Sequence, residues 1–177
     1  MRIEFREYRI RDWMDDDADS LVRYANNRQI ARWLRDRFPQ PYTRSDAWAF
    51  LAAVAVLNPR TTFAIATDDE AIGGIGLEFG VDVHRFTAEL GYWLGEPFWG
   101  RGIMTEAVRH LTAWAFENLE VHRIYATAFA GNQASVRVLE KAGFQREGRL
   151  RASVFKEGRI LDQFLYARIR AGDAPHG

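Results

Sequence analysis

The sequence predicts one α/β domain, a twisted mixed sheet with helices on both faces. Three observations predict it. Segments with period-two alternation are interleaved with segments of helical period along the 177 residues. Residues 88–129 read strand, helix, strand, and a right-handed crossover makes those two strands parallel. Residues 61–79 and 148–168 each read strand, polar turn, strand, which gives antiparallel partners.

Composition bounds the function. The length suits one domain with a substantial core, here residues 1–170, followed by a loose tail over 171–177. Apolar residues make up 47%, with 12 Phe and 6 Trp, so the chain is globular. Lys and Arg number 24 and balance 24 Asp and Glu, which gives no general attraction to nucleic acid or anionic lipid. Any anion site must therefore be local. Cysteine is absent, which excludes a thiol nucleophile, a disulfide framework and cysteine-ligated zinc. The opening MRIEFREYRIRDW has no apolar leader core and no run reaches transmembrane length, so a cytoplasmic protein is expected.

Residues 2–10 alternate as one opening strand, with Ile3, Phe5 and Tyr8 towards a core. Asp15, Asp16 and Asp17 read as the acidic first turn of a helix over 18–24, since adjacent carboxylates on a helix point in different directions and make a poor metal site. A second short helix is expected over 30–34. Pro39 and Pro41 keep residues 38–43 from being helical. Thr43 or Ser45 then caps a helix over 46–56, apolar along one side. Strands follow over 61–67 and 71–79, and Gly73, Gly74 and Gly76 allow a bend or bulge in the second. His84 sits alone in a loop, with no partner at metal-ligand spacing.

Residues 88–94 form the next strand, in which Leu90, Tyr92 and Leu94 alternate with Glu89, Gly91 and Trp93. Gly95, Glu96 and Pro97 end it. From Gly102 a helical period takes over through Met104, Ala107, Val108, Leu111, Ala115 and Leu119. Between them lies Trp99-Gly100-Arg101-Gly102. Its glycines let backbone approach a ligand, and the unpaired first-turn N–H groups of the helix favour an anion, most naturally a phosphate, with the Arg101 charge adding to them. GxxxxGK[ST] is absent, and Phe79 breaks a GxGxxG reading from Gly74 onward. After a strand over 123–129, Asn132 caps a helix over 133–142 that Gly143 ends. Strands over 148–153 and 160–168 close the chain.

Residues 99–104 resemble motif A, [QR]xxGx[GA], of the GNAT superfamily of acyl-CoA-dependent N-acetyltransferases, with Trp99 at the first position and Met104 at the last. The wording WGRGIMTEA is most similar to the subgroup containing the ribosomal-protein N-terminal acetyltransferases. Asn132, Ser135, Glu140, Lys141, Gly143 and Phe144 match every named position of the family's motif B. DADSLVRYANNRQIARWLRDRFPQPYT and GRILDQFLYARI resemble the subgroup's N-terminal half and closing strand. Ordered blocks over nearly the whole chain are far more specific than any one of them.

The resemblance implies a GNAT-like domain with a splay between two central parallel strands, and acetyl-CoA as cosubstrate with no metal. It places the pyrophosphate on Gly100, Arg101, Gly102, Ile103, Met104 and Thr105, and the pantetheine arm on the strand edge at Trp93 and Leu94 and on Asn132. Glu89 is the candidate base, acting directly or through water; Ser135 is the candidate partner of the leaving thiolate, with Tyr166 as fallback; and an N–H near Leu94 is the oxyanion donor. His110 and His122 are weaker candidates for the base. Asn27, Trp33, Phe38 and Tyr42 are candidates to touch the acceptor, although aromatics at such spacings also build cores. The implied acceptor is the α-amine of a protein N-terminus, possibly ribosomal in origin. A small-molecule amine (polyamine, amino acid or aminoglycoside) and a non-catalytic acyl-CoA-binding domain are the alternatives. Exposed aromatics in the closing strands leave a homodimer open.

Overall fold

The chain begins with a hairpin where the alternation predicts one strand. In the computed structural model, which describes residues 1–172, β1 (Arg2–Phe5) turns at Arg6-Glu7 and returns as β2 (Tyr8–Arg11), with Phe5 opposite Tyr8 and Ile3 opposite Ile10. Residues opposite each other share a face, so Phe5, Tyr8 and Ile10 are all buried although 5 and 8 differ in parity. That change of parity is the sequence signal of the turn. Arg6 makes the turn with a φ of 52°, a left-handed conformation that costs a side-chain-bearing residue about 1–2 kcal/mol.

The chain packs as two compact units, one of Met1–Gly76 with Tyr92–Ala107 and the other of Leu77–Gly91 with the residues from Val108 onward. In the first unit β2 pairs antiparallel with β3 (Thr62–Ala66), and β3 with β4 (Ala71–Phe79). The register slips between Ile65 and Ala66, the irregularity that the glycines of β4 anticipate. The acidic run forms a 3-10 turn leading into α1 (Ala18–Ala25). Asp17 is buried there, accepting from both Nη atoms of Arg11 at 2.7 Å and from the Met14 N–H at 2.8 Å. α2 spans Arg28–Ala31, earlier than the expected 30–34, because the Asn27 side chain caps it by accepting from the Gln29 N–H at 2.8 Å. Thr43 caps α3 (Arg44–Ala55) through a reciprocal box with Asp46. Only Ala47 and Leu51 of α3 are buried, and Trp48 is 46% exposed, so its apolar side is narrower than the composition implies.

In the second unit the start of β5 (Thr87–Leu94) runs parallel to β6 (Arg123–Phe129), pairing Thr87 with Arg123, Ala88 with Ile124 and Glu89 with Tyr125. Both strands continue beyond this short parallel ladder. β8 (Arg159–Ile169) covers β6, and β7 (Gln145–Lys156) pairs with β8. β7 is longer at both ends than the 148–153 expected. A positive-φ residue, Ala152, interrupts its period, and the Asp162 carboxylate accepts from the Ala152 N–H at 2.7 Å. The full hydrogen-bonding order is β1-β2-β3-β4-β5-β6-β8-β7, the mixed sheet that the sequence predicts. α4 (Ile103–Asn118) buries Met104, Ala107, Val108, Leu111 and Ala115 as its period requires, and α5 (Gln133–Lys141) follows β6. The tail expected over 171–177 falls largely on residues 173–177, outside the described residues.

Two glycines of β4 are fixed by the main chain and side chain facing them. A Cβ on Gly73 would lie 2.5 Å from the Trp93 carbonyl oxygen, and one on Gly74 would lie 2.7 Å from the Trp93 Nε1. Gly73→Ala is expected to lower stability by about 2 kcal/mol, read as a lower urea midpoint at unchanged m. Gly91→Ala on β5, where an added Cβ meets nothing within 4 Å, is the matched control and should move stability by less than about 0.5 kcal/mol.

Candidate active site

The first unit contains the loop that the sequence singles out as a candidate anion cradle, between β5 and α4. Gly95 donates its N–H to the Ile72 carbonyl at 2.8 Å, holding the end of β5 on β4. Backbone groups alternate along a strand, so the N–H and C=O of Leu94 point away from β4 and the C=O of Trp93 points towards it. The Leu94 carbonyl is already engaged, since the Trp99 indole Nε1 donates to it at 2.7 Å. That bond closes the loop after β5 and explains how Trp99 is used where the family motif has Gln or Arg.

Gly100 and Gly102 then take φ values of 77° and 78°, which only glycine adopts without strain. The first bond of α4 runs from the Glu106 N–H to the Gly102 carbonyl at 3.2 Å, so the N–H groups of Ile103, Met104 and Thr105 have no partner within the helix. Ile103, Met104 and Thr105 are all buried. Such donors at the positive end of a helix suit a phosphate. Arg101, whose charge the sequence adds to these donors, is turned back along the loop. Its Nη2 donates back to the Pro97 carbonyl at 2.9 Å, and its guanidinium lies 5.5 Å from the Phe98 ring centre.

Side chains from further off brace the loop. Asn27 Nδ2 donates to Glu96 at 2.6 Å while its Oδ1 caps α2, so this acceptor candidate is tied by both ends of its amide. Tyr24 packs edge-on to Phe98 with ring centres 5.5 Å apart, and its hydroxyl donates to Glu70 at 2.7 Å. Arg6 Nη1 donates to the Arg101 carbonyl at 3.1 Å. None of these braces has a motif-like signal, because their spacings in sequence follow only from the fold.

Among the other acceptor candidates, Tyr42 is buried and Phe38 half-buried, their ring centres 5.3 Å apart, and Phe38 stands edge-on to Trp93 at 5.9 Å. Burial, with the Asp46 carboxylate adding, pushes the Tyr42 phenol up to about 12, so it stays protonated at physiological pH. Trp33 is half-buried beneath the Arg32 guanidinium, 5.0 Å from its ring centre.

The second unit holds the remaining candidates. Glu89 is half-buried at the last registered pair of the parallel ladder, opposite Tyr125. Asn132 caps α5 by accepting from the Ser135 N–H at 3.1 Å, which fixes Ser135 in the first turn. The Asn132 Nδ2 makes no hydrogen bond to the described residues, so capping leaves its amide donor for a ligand. Tyr166 is buried and its hydroxyl donates to Glu140 at 2.9 Å. Burial and that bond both raise its pKa, and the proton of this fallback candidate is committed to Glu140. His84 is exposed, as expected, and His122 packs against Phe86. Among the described residues no group of three or more His, Asp or Glu is arranged to hold a metal ion, and no helix is long and apolar enough to cross a membrane.

A loop with two positive-φ glycines thus leads from the end of β5 into α4. The chain belongs to the acetyltransferase (GNAT) family, whose domain profile matches residues 8–145. It is 36% identical over 164 residues to the uncharacterized N-acetyltransferase YoaA of Bacillus subtilis, covering 91% of this chain and 92% of that one. With the ribosomal-protein-serine acetyltransferase of Escherichia coli the identity is 35% over 107 residues, covering 60% of this chain and 59% of the other. The solved structure of ribosomal-protein-S5-alanine acetyltransferase from Vibrio fischeri aligns with a TM-score of 0.83 at 25% identity, over 99% of this chain and 100% of that one. The chain is thus an acetyltransferase with the fold that its sequence predicts.

Asn132→Asp separates the two uses of that residue. The carboxylate keeps the capping oxygen, so the melting temperature should be unchanged within the effect of about 0.5 kcal/mol. Loss of the amide donor should weaken coenzyme A binding about fivefold to tenfold, measured by calorimetry. Asn132→Ala should lose both, with about 1 kcal/mol of stability.

Proposed function

We propose that the chain transfers an acetyl group from acetyl-CoA to a primary amine, with the N-terminal α-amine of a protein, such as a ribosomal protein, as the favoured acceptor. The observation that carries the donor is the cradle of main-chain N–H groups at Ile103, Met104 and Thr105 behind two positive-φ glycines, a fit to a pyrophosphate. The acceptor rests on the two relatives above whose names specify ribosomal proteins. Such an acceptor makes the cytoplasm the place of action and requires neither nucleic acid nor membrane binding. A homodimer through the exposed closing strands is compatible with this reading.

In this reading the amine nitrogen attacks the thioester carbonyl carbon directly. The C–N bond forms, the C–S bond breaks, and the electron pair of that bond leaves on sulfur. Glu89 takes the proton from the amine, directly or through a water. The outward-pointing N–H of Leu94 donates to the developing oxyanion. Ser135 donates a hydrogen bond to the thiolate, which is reprotonated as coenzyme A. A serine hydroxyl is too weak an acid to lead that step, so its part is to stabilise the leaving group.

Release of coenzyme A from acetyl-CoA tests the proposal, with peptides bearing free N-termini, polyamines, aminoglycosides and amino acids as acceptors. Turnover is expected with the peptides, and Glu89→Gln should lower kcat/KM by about 10²-fold or more while acetyl-CoA affinity is retained. Turnover with a small amine alone would overturn the protein acceptor. Acetyl-CoA binding without turnover on any acceptor would leave a binding module instead.

A further inference from the structure

We propose that Arg6, at the turn of the first hairpin, is a phosphate-binding residue of the acyl-CoA cradle. The inference rests on the acyl-CoA reading of the loop and adds to it a cation that no loop motif contains. Arg6 Nη1 donates to the Arg101 carbonyl at 3.1 Å, and it would lie 3.9 Å from a Cβ on Gly102. The guanidinium is therefore held against the two residues that lead into α4. A guanidinium has five N–H donors, and this bond is the one that Arg6 makes to the described residues. The remaining donors form the planar fork that recognises phosphate oxygens in pairs.

Arg101 cannot fill that part in the same arrangement, because its guanidinium is turned back onto the Pro97 carbonyl and the Phe98 ring. Arg101 is turned back onto its own loop, whereas Arg6 braces that loop through one donor and keeps its others. Glu7 is the acidic group near them. Its exposed carboxyl is held below the usual range by its own backbone N–H and by the Tyr8 hydroxyl, and the charges of Arg6 and Arg101 lower it further.

Arg6 is the first of the two residues between Phe5 and Tyr8 and has a φ of 52°. Glycine is the usual occupant when the first residue of a two-residue turn takes positive φ. A residue other than glycine is uncommon on such a backbone, and Asp82, Ala152 and Glu157 share it in this chain.

The test compares wild type, Arg6→Gly and Arg6→Lys by NMR titration with coenzyme A and with pantetheine, which lacks the phosphates. Arg6→Gly is expected to lose about tenfold in affinity for coenzyme A, to bind pantetheine as wild type does, and to melt no lower than wild type, since glycine relieves the turn. Arg6→Lys should recover part of the loss. A flatter dependence of coenzyme A affinity on salt in Arg6→Gly is also expected. Unchanged coenzyme A binding in Arg6→Gly, or equal loss for both ligands, would overturn the proposal, the second because it would make Arg6 a brace only. Failure of the wild type to bind coenzyme A would overturn the acyl-CoA reading itself, and this inference with it.

Discussion

Gly73 and the Trp93 carbonyl approach so closely that even a methyl group would not fit between them. The rest of the candidate cradle depends on that approach. It presses the end of β5 onto β4, lets Gly95 reach the Ile72 carbonyl, and so turns the Leu94 amide and carbonyl outward. With the Leu94 carbonyl outward, the Trp99 indole can close on it, and the chain enters α4 through the two positive-φ glycines. A steric fact about one hydrogen in place of a side chain thus fixes the direction of several hydrogen-bond donors.

Most of this was legible where local rules act alone. The bounds of β4 and β6 coincide with the apolar runs 71–79 and 123–129 because polar turns bracket both. The caps at Thr43 and Asn132 follow from residue type and position. The first hairpin escaped because a two-residue turn hardly disturbs the alternation on either side, apart from the change of parity between Phe5 and Tyr8. α2 starts earlier than its apolar residues indicate because the Asn27 oxygen caps it, a role that residue type alone does not separate from a ligand contact. At the candidate site, the glycine spacing points to a special backbone, and Gly100 and Gly102 do take positive φ. The direction of the Arg101 guanidinium was not, since its nearest aromatic and carbonyl partners become apparent only once the Glu96–Phe98 turn is formed.

Several candidate site residues already give some of their polar atoms to the fold. Asn132 spends its oxygen on a helix start and keeps its nitrogen, whereas Asn27 uses both ends of its amide within the protein. Tyr166 gives its one proton to Glu140. Side-chain identity alone does not distinguish these cases. What separates a residue available to a ligand from one that is not is which of its atoms the fold has already used.

The ladder between β6 and β8 bears on where a self-sufficient fragment could be cut. The family profile ends at residue 145, yet β8 pairs with β6 from Arg123 opposite Ile169 to Phe129 opposite Gln163. A piece trimmed to 8–145 would strip that edge bare, and an uncovered strand edge recruits other chains. It would also discard β1 together with the turn that carries Arg6. The segment by which the family is recognised is therefore smaller than the segment that can stand alone in water.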